Sequence, residues 1–440
     1  MAAPDDALTA TAGGDPLDGS SGEVWMSVLR WVFPQLPAPT VLSNIAVTIG
    51  REAGCATRLD TSQVSRRHAE VKQDGDEYKV FDLASKNGVF VNGERETSAT
   101  LRTGDVLRLG DCVAVVERVT AAGLAGFDDL GHGIFGGASL RRVVQRAKQA
   151  ARGNLNILLQ GETGTGKERF ARALHAFSGR SGPFLAVNAA AYHESTAAGE
   201  LFGYRKGAFT GAERANLGHV RAAHRGTLLL DEILDMPLEL QAKLLRVIEQ
   251  REVLPLGETE ATPVDVAFVS ASQVPLADAV ANGRFRSDLR ARLEGLLIEL
   301  PPLRERRADI VPLFGALLKR HASGAVPKLE AKLVERLCLE PWPMNVRELE
   351  NTARRLLTLF GQEPELSLQQ LLEVEGSRAP APEPATSATR RSLPAYQPEE
   401  LSALRAAIER HGGNLTRAAD ELGITRPKAY RMLRTLKPES

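Results

Sequence analysis

The run Gly161-Glu162-Thr163-Gly164-Thr165-Gly166-Lys167 limits the possible folds of this chain more than any other feature, because the apolar segment 155–160 runs straight into it. Three glycines between a buried strand and the start of a helix permit a tight turn. Its backbone N–H groups point inward and form a cradle for phosphate at a helix N-terminus. Lys167 adds a point charge for the β- and γ-phosphates. The magnesium-binding hydroxyl that closes the generic motif is replaced here by Glu168. A strand this apolar needs cover on both faces, so its surroundings are expected to build a parallel α/β sheet.

A second apolar run, 226–231, ends in the adjacent carboxylates Asp231 and Glu232. Beside a phosphate cradle these have separable tasks: Asp231 holds a magnesium ion, and Glu232 activates the attacking water. ATP and Mg2+ are therefore the expected cofactors. Asn188 closes the intervening strand 183–188, where its side chain can cap the next turn.

Around this core the chain divides. Residues 1–24, rich in Ala, Asp, Gly and Ser, are expected to be disordered. Residues 25–119 are expected to form an all-β domain with its core at 40–119, from short runs at 41–49, 69–71, 78–83, 88–91, 106–109 and 113–116. A connector, 120–132, leads to the α/β domain with its helical subdomain, 133–375. A Pro/Ala-rich linker, 376–398, precedes a helical module, 399–440. There a Gly423-Ile424-Thr425 turn introduces a helix bearing Arg426, Lys428, Tyr430 and Arg431, the layout of a helix-turn-helix whose third helix enters the major groove.

Basic and acidic residues balance at 55 each, so any nucleic-acid surface must be local. Cys55, Cys112 and Cys338 lack metal-ligand spacing and fit a reducing compartment. Asp5, Asp6 and Asp15 stand where a secretory leader would be basic and then apolar. No apolar run reaches membrane-spanning length. A soluble, cytoplasmic protein without membrane contact is expected.

Gly207-Ala208-Phe209-Thr210-Gly211-Ala212 lies between the two halves of the nucleotide site. It offers one large apolar side chain and no helical or strand periodicity, so it makes poor core. Its glycines allow a turn that presents Phe209 and Thr210 to a partner. The hexapeptide, with the motifs above, resembles bacterial enhancer-binding proteins, the AAA+ activators of sigma-54 RNA polymerase, over about residues 130–375. The resemblance implies that 207–212 touches sigma-54 and that Asn188 holds Glu232. It further implies that Arg286 and Arg292 reach the γ-phosphate of a neighbouring subunit in a homo-oligomeric ring, a hexamer in this family, and that Arg347 senses nucleotide from the lid. Three places depart from the family pattern: Ser272-Gln273 for Thr-Asn, Met344 for Gly, and His219-Val220-Arg221 for an aromatic followed by Glu. Residues 413–426 resemble the Fis-type helix-turn-helix of these activators, which implies that Thr425, Arg426, Lys428, Tyr430 and Arg431 contact double-stranded DNA.

Gly50-Arg51, Ser65-Arg66-Arg67-His68, Ser85-Lys86-Asn87-Gly88 and Val91-Asn92-Gly93 fall on loops between short strands. Loops at one end of a β-sandwich can converge on a phosphate. Taken in order they resemble the forkhead-associated (FHA) domain, which binds phosphothreonine peptides. By that resemblance Arg51 and Ser65 contact phosphate, Arg66 and Lys86 add charge, Asn87 grips the peptide backbone, and His68 and Asn92 brace the loops.

The expected architecture is multidomain: an all-β FHA sandwich, an α/β AAA+ ATPase with a helical lid, and an all-α helix-turn-helix. The function implied is a sigma-54-dependent regulator that binds upstream DNA, answers a phosphothreonine protein or Ser/Thr kinase, and remodels polymerase with ATP. The alternative is a phosphopeptide-responsive DNA-binding scaffold or repressor with a weak or vestigial ATPase.

Overall fold

A computed structural model describes residues 24–34, 37–153, 155–192, 196–209 and 212–376, together with 407, 410–411 and 421–422. Residues 1–376 form one compact unit and 377–440 a second. The start expected to be disordered (to residue 23), almost all of the Pro/Ala-rich linker, and the DNA-contact candidates Thr425, Arg426, Lys428, Tyr430 and Arg431 lie outside the described residues. So do Thr210 and Gly211. In the second unit, Glu421 accepts from His411 at 2.6 Å and pairs with Arg410.

The first unit opens with a β-sandwich of a six-stranded and a five-stranded sheet. The run 41–49, expected as one strand, is two: Thr40–Leu42 joins one sheet and Val47–Gly50 the other. The turn between them is fixed by Ser43 Oγ, which accepts from Ile45 N–H at 3.2 Å. The longest strands include Trp25–Phe33, which precedes the expected core at 40–119 and pairs antiparallel with Cys112–Thr120.

Both faces of that strand are covered, and so its sequence does not alternate. Leu29 and Trp31 point into the sandwich, whereas Val32 joins the apolar cluster of the helical lid. Val106, Val113 and Val115 follow the same rule and pack on the lid, while Leu107, Leu109, Cys112 and Ala114 fill the sandwich. Burying each of those valines contributes about 1.5–3 kcal/mol relative to exposure. The outer face of the six-stranded sheet is therefore an internal interface. At its centre Arg108 donates to Glu335 of the lid helix Ala331–Leu339 at 2.7 Å and lies 3.8 Å over the Phe90 ring. Arg307 donates to the carbonyl of Gly104 at 2.7 Å.

The segment expected as a connector carries a short 3-10 turn, Ala121–Leu124, and one strand of the hairpin that pairs Asp128–Asp129 with Phe135–Gly136. Behind it comes a parallel five-stranded sheet in the order Phe184–Asn188, Thr227–Asp231, Ala267–Ser272, Ile157–Gln160, Leu296–Glu299. Leu158, Leu228, Leu229 and Leu230 are fully buried, as strands covered by helices on both faces must be. Parallel pairing sends all C-terminal strand ends to one edge, where such sheets place their ligands. Gln160 is in register with Ser272, and Asn188 with Asp231. The lid helices Ile310–His321, Ala331–Leu339, Asn345–Phe360 and Leu368–Gly376 follow.

Candidate functional site

The glycine loop connects the Ile157–Gln160 strand to the helix Lys167–Ser178, whose axis starts at the cradle. Lys167 is buried, and its ammonium donates to the carbonyls of Gly161 (2.7 Å) and Glu162 (3.3 Å). Burial pushes its pKa below the usual lysine value, against the pull of the Glu232 and Asp231 carboxylates. Thr165 Oγ1 donates to the Glu162 carbonyl at 2.9 Å and closes the turn. Glu168, in the usual hydroxyl position, pairs with Arg172 one helical turn on at 2.7 Å.

A cavity of about 410 Å³ lies over the cradle, lined by residues 163–170, by Asp231 and Glu232, and by Arg347 of the lid. Gly164 is a glycine of necessity: its φ is +78°, and a Cβ there would stand 2.0 Å from the Met344 carbonyl oxygen of the lid. Glu232 follows the Thr227–Asp231 strand with φ +50°, a left-handed conformation that costs a non-glycine residue energy and turns its side chain out of the strand direction. Its carboxylate is held by Gln273, whose Nε2 donates to Oε1 at 2.8 Å. Ser272, one residue earlier, is buried and donates to the Val274 carbonyl at 2.6 Å.

Asn188 is at the end of the neighbouring strand, and its Oδ1 accepts from Ala190 N–H at 2.9 Å. That bond is the turn cap, one of the two readings open for Asn188, and Gln273 makes the hydrogen bond to Glu232 in this structure. Arg286 and Arg292 are exposed and do not line the cavity of their own chain. Arg286 makes a two-bond pair with Asp288 (3.0 and 2.7 Å), and Arg292 donates to Glu249 at 2.9 Å.

The 207–212 loop rises from a stem in which Tyr204 and Asn216 exchange backbone hydrogen bonds of 2.9 Å. Gly207 N–H donates to the Ala212 carbonyl at 2.9 Å and Ala212 N–H to the Phe209 carbonyl at 3.0 Å. Phe209 is 45% exposed, and the Tyr204 ring approaches it edge-to-face at 5.0 Å. Ala208 sits against Gly257 of the following hairpin.

At one end of the sandwich three of the four predicted loops converge, while Val91-Asn92-Gly93 lies at the other end of the Val89–Val91 strand. Arg51 N–H donates to the Ser65 carbonyl (3.0 Å), and Ser65 Oγ accepts from Lys86 N–H (3.0 Å). Asn87 Nδ2 donates to Gln63 through its backbone oxygen (2.6 Å) and its side-chain oxygen (2.9 Å). Gly50 admits this approach, since a Cβ there would meet the Arg66 carbonyl oxygen at 2.1 Å. The fully buried His68 braces the cluster: Nδ1 accepts from Ser65 N–H (3.0 Å), which leaves Nε2–H to donate to the Gly88 carbonyl (3.0 Å). Burial lowers its pKa, so the neutral ring is the form that fits. Asn92 ties Asp105 and Val106 N–H to the next turn. Arg51, Arg66 and Lys86 are exposed, without a carboxylate partner among the described residues.

Gln63, Gln273, Arg304 and Asn345 join these sites although sequence reasoning gave them no role. Gln273 was visible as a departure from the family pattern, and Arg304 and Asn345 lie within 300–306 and 342–351, stretches whose sequence also resembles the family; Gln63 carries no signal beyond an ordinary polar residue in a loop.

Comparison with known proteins matches four stretches of the chain: a Sigma-54 interaction domain over 134–299, an FHA domain over 47–110, an AAA+ ATPase lid domain over 304–387, and a bacterial regulatory protein of the Fis family over 398–433. The chain is similar to the pathogenicity-locus regulatory protein HrpS of Pseudomonas syringae pv. syringae, 39% identical over 285 residues that make up 64% of this chain and 89% of that protein. It is also similar to the transcriptional regulatory protein ZraR of Klebsiella oxytoca, 42% identical over 66% of this chain and 65% of that protein's length. Among solved structures, NtrX from Brucella abortus in complex with ATP aligns with a TM-score of 0.50 and 33% identity over 71% of each chain. Among the described residues no helix is long and apolar enough to cross a membrane.

Proposed function

The chain belongs to the sigma-54-dependent transcriptional regulators, and from that premise we propose that it reads a phosphothreonine-bearing protein with its FHA loops and uses ATP hydrolysis to remodel sigma-54 RNA polymerase at DNA-bound promoters. It is an AAA+ ATPase carrying an FHA domain and a Fis-type module. The observation that supports the reading best is the convergence of Lys167, Asp231, Glu232 and the lid's Arg347 on one cavity at the C-terminal edge of the sheet.

In this reading the N–H groups of 162–167 and the Lys167 ammonium hold the phosphates, and Glu232 accepts the proton of the attacking water. Asp231 fits a magnesium ion: it faces the cradle, and Mg2+ takes one or two protein carboxylates and fills its shell with phosphates and water. The metal's contribution would be to neutralise charge on the β- and γ-phosphates.

Arg286 and Arg292, exposed and away from their own cavity, are suited to a neighbouring copy's γ-phosphate, which makes the working form a homo-oligomeric ring. Phe209 and Thr210 are the residues that meet sigma-54, and Arg51, Ser65, Arg66, Lys86 and Asn87 take the phosphothreonine. The C-terminal module anchors the assembly to double-stranded DNA through Thr425, Arg426, Lys428, Tyr430 and Arg431.

Steady-state ATPase of the purified chain tests the reading. Hydrolysis that is lost in Lys167→Ala and altered by a phosphothreonine peptide, but not by its unphosphorylated twin, is the expected result. ATP binding without hydrolysis, with or without the peptide, would favour the scaffold or repressor.

A further inference from the structure

Asn345 is fully buried yet carries a primary amide, and its backbone has φ +53°, costly for a residue with a side chain. Every polar atom of that side chain is used. Oδ1 accepts from Leu303 N–H at 2.7 Å. Nδ2 donates to the Glu162 carboxylate at 3.2 Å and to the Thr163 carbonyl at 3.0 Å. One residue thus joins the phosphate loop, the turn Leu303–Glu305 and the start of the lid helix Asn345–Phe360.

Two further contacts tighten the join. Arg304 makes a bidentate pair with Glu162 at 2.7 and 2.6 Å. Val346 N–H donates to the Gly164 carbonyl at 3.0 Å. The Arg304 guanidinium, and then the Asn345 amide, hold the Glu162 carboxyl below the usual carboxylate pKa, so this part of the phosphate loop carries a charge at neutral pH. Arg347, the lid's arginine on the nucleotide cavity, stands two residues beyond Asn345 and is exposed.

We propose that Glu162, Arg304 and Asn345 form a clasp that positions Arg347 for nucleotide, so that the lid reads the phosphates from an angle fixed by the phosphate loop itself. This rests on the assignment of Arg347 as the lid's nucleotide-sensing arginine. None of the three side chains lines the cavity beside Lys167, Asp231 and Glu232. They act through Arg347 and are positioning residues.

The geometry fits such a task. A buried amide with all its hydrogen bonds made tolerates little displacement, because each partner left behind stays unsatisfied. The left-handed backbone at Asn345 sets the direction in which the lid helix leaves, and with it the place of Arg347. Two charge-assisted bonds from a planar guanidinium fix orientation as well as distance.

The test is a double-mutant cycle on the full chain, read by fluorescent-ATP affinity and by kcat and KM for ATP. Asn345→Ala and Arg347→Ala are each expected to weaken ATP binding or slow turnover about tenfold. Their combination is expected to be no worse than Arg347→Ala alone, since both remove the same placed group. Because Asn345 is buried, the exposed partner gives a second route: Arg304→Gln should reproduce the loss in milder form, and Arg304→Lys should recover part of it.

Losses that multiply in the double variant, while Arg347→Ala has its effect, would overturn the clasp and leave Arg347's role standing. An Arg347→Ala protein that binds and hydrolyses ATP normally would remove the premise, and the clasp with it. An Arg304→Gln protein indistinguishable from wild type would also overturn the proposal.

Discussion

Replacing Glu335 by alanine is expected to loosen the joint between the sandwich and the lid by about 3 kcal/mol. The pair it forms with Arg108 is closed at 2.7 Å, with side chains only 9% and 7% exposed. At that separation, with an effective dielectric of about 20, the gross attraction is about 6 kcal/mol, and desolvation of both ions offsets much of it. Removing one partner of a buried pair costs about 3–5 kcal/mol, because the other charge is stranded. The low end applies here. Glu335 Oε1 is buried without a hydrogen bond among the described residues, so the native pair is itself incompletely satisfied. The stranded Arg108 also keeps the Phe90 ring beneath it. By the same logic Arg108→Met with Glu335→Leu should fall within about 1 kcal/mol of wild type. Tryptophan fluorescence during urea unfolding reads both sides of the joint, since Trp31 is buried in the sandwich and Trp342 in the lid. Wild type should lose both in one transition, and Glu335→Ala should unfold earlier with the two signals separated. A Glu335→Ala midpoint equal to wild type, or an apolar double variant as weak as the single one, would refute the assignment of this pair as the centre of the joint.

Three other perturbations have defined outcomes. His68 is held neutral with a folded pKa below its unfolded value of 6.5, so its contribution to stability is complete above about pH 6.5 and is lost as pH falls toward the folded pKa; an NMR titration that places His68 at or above 6.5 would contradict this. Glu232→Gln should keep ATP affinity within a few-fold and slow hydrolysis about 10²–10⁴-fold, and a near-normal rate would show that another group takes the water proton. Arg51→Ala should abolish phosphothreonine-peptide binding by calorimetry while the sandwich stays folded; unchanged affinity would show that the phosphate site lies elsewhere.

The parts of this molecule that were legible in its sequence are those built from neighbouring residues. The phosphate cradle is one turn long, and its glycines, Lys167 and the flanking apolar strand announce it together. The carboxylates after 226–230 and the loop residues around Arg51, Ser65 and Asn87 were local patterns of the same kind. What sequence did not disclose is what a side chain faces across the fold. Trp25–Phe33 lacks alternation because the lid covers its outer side, and nothing in its nine residues names the lid. The split of 41–49 between two sheets is decided by a turn at Ser43 and by which neighbours each half meets. Arg108 and Glu335 are 227 residues apart, and Glu162 and Asn345 are 183, so their pairing exists only once the domains have packed. Asn188 shows the same limit. Its two readings were equal on sequence, and that Gln273, 85 residues on, is the side chain bonded to Glu232 could not be read from the strand that Asn188 ends.

Polymerase remodelling is decided by open-complex formation on a sigma-54 promoter carrying the protein's upstream binding site. Purified protein and sigma-54 polymerase should open the promoter with hydrolysable ATP and not with a non-hydrolysable analogue. Thr210→Ala should hydrolyse ATP normally and open nothing. Absence of open complexes, with and without a phosphothreonine partner and despite bound DNA, would contradict the account and leave a scaffold or repressor in its place.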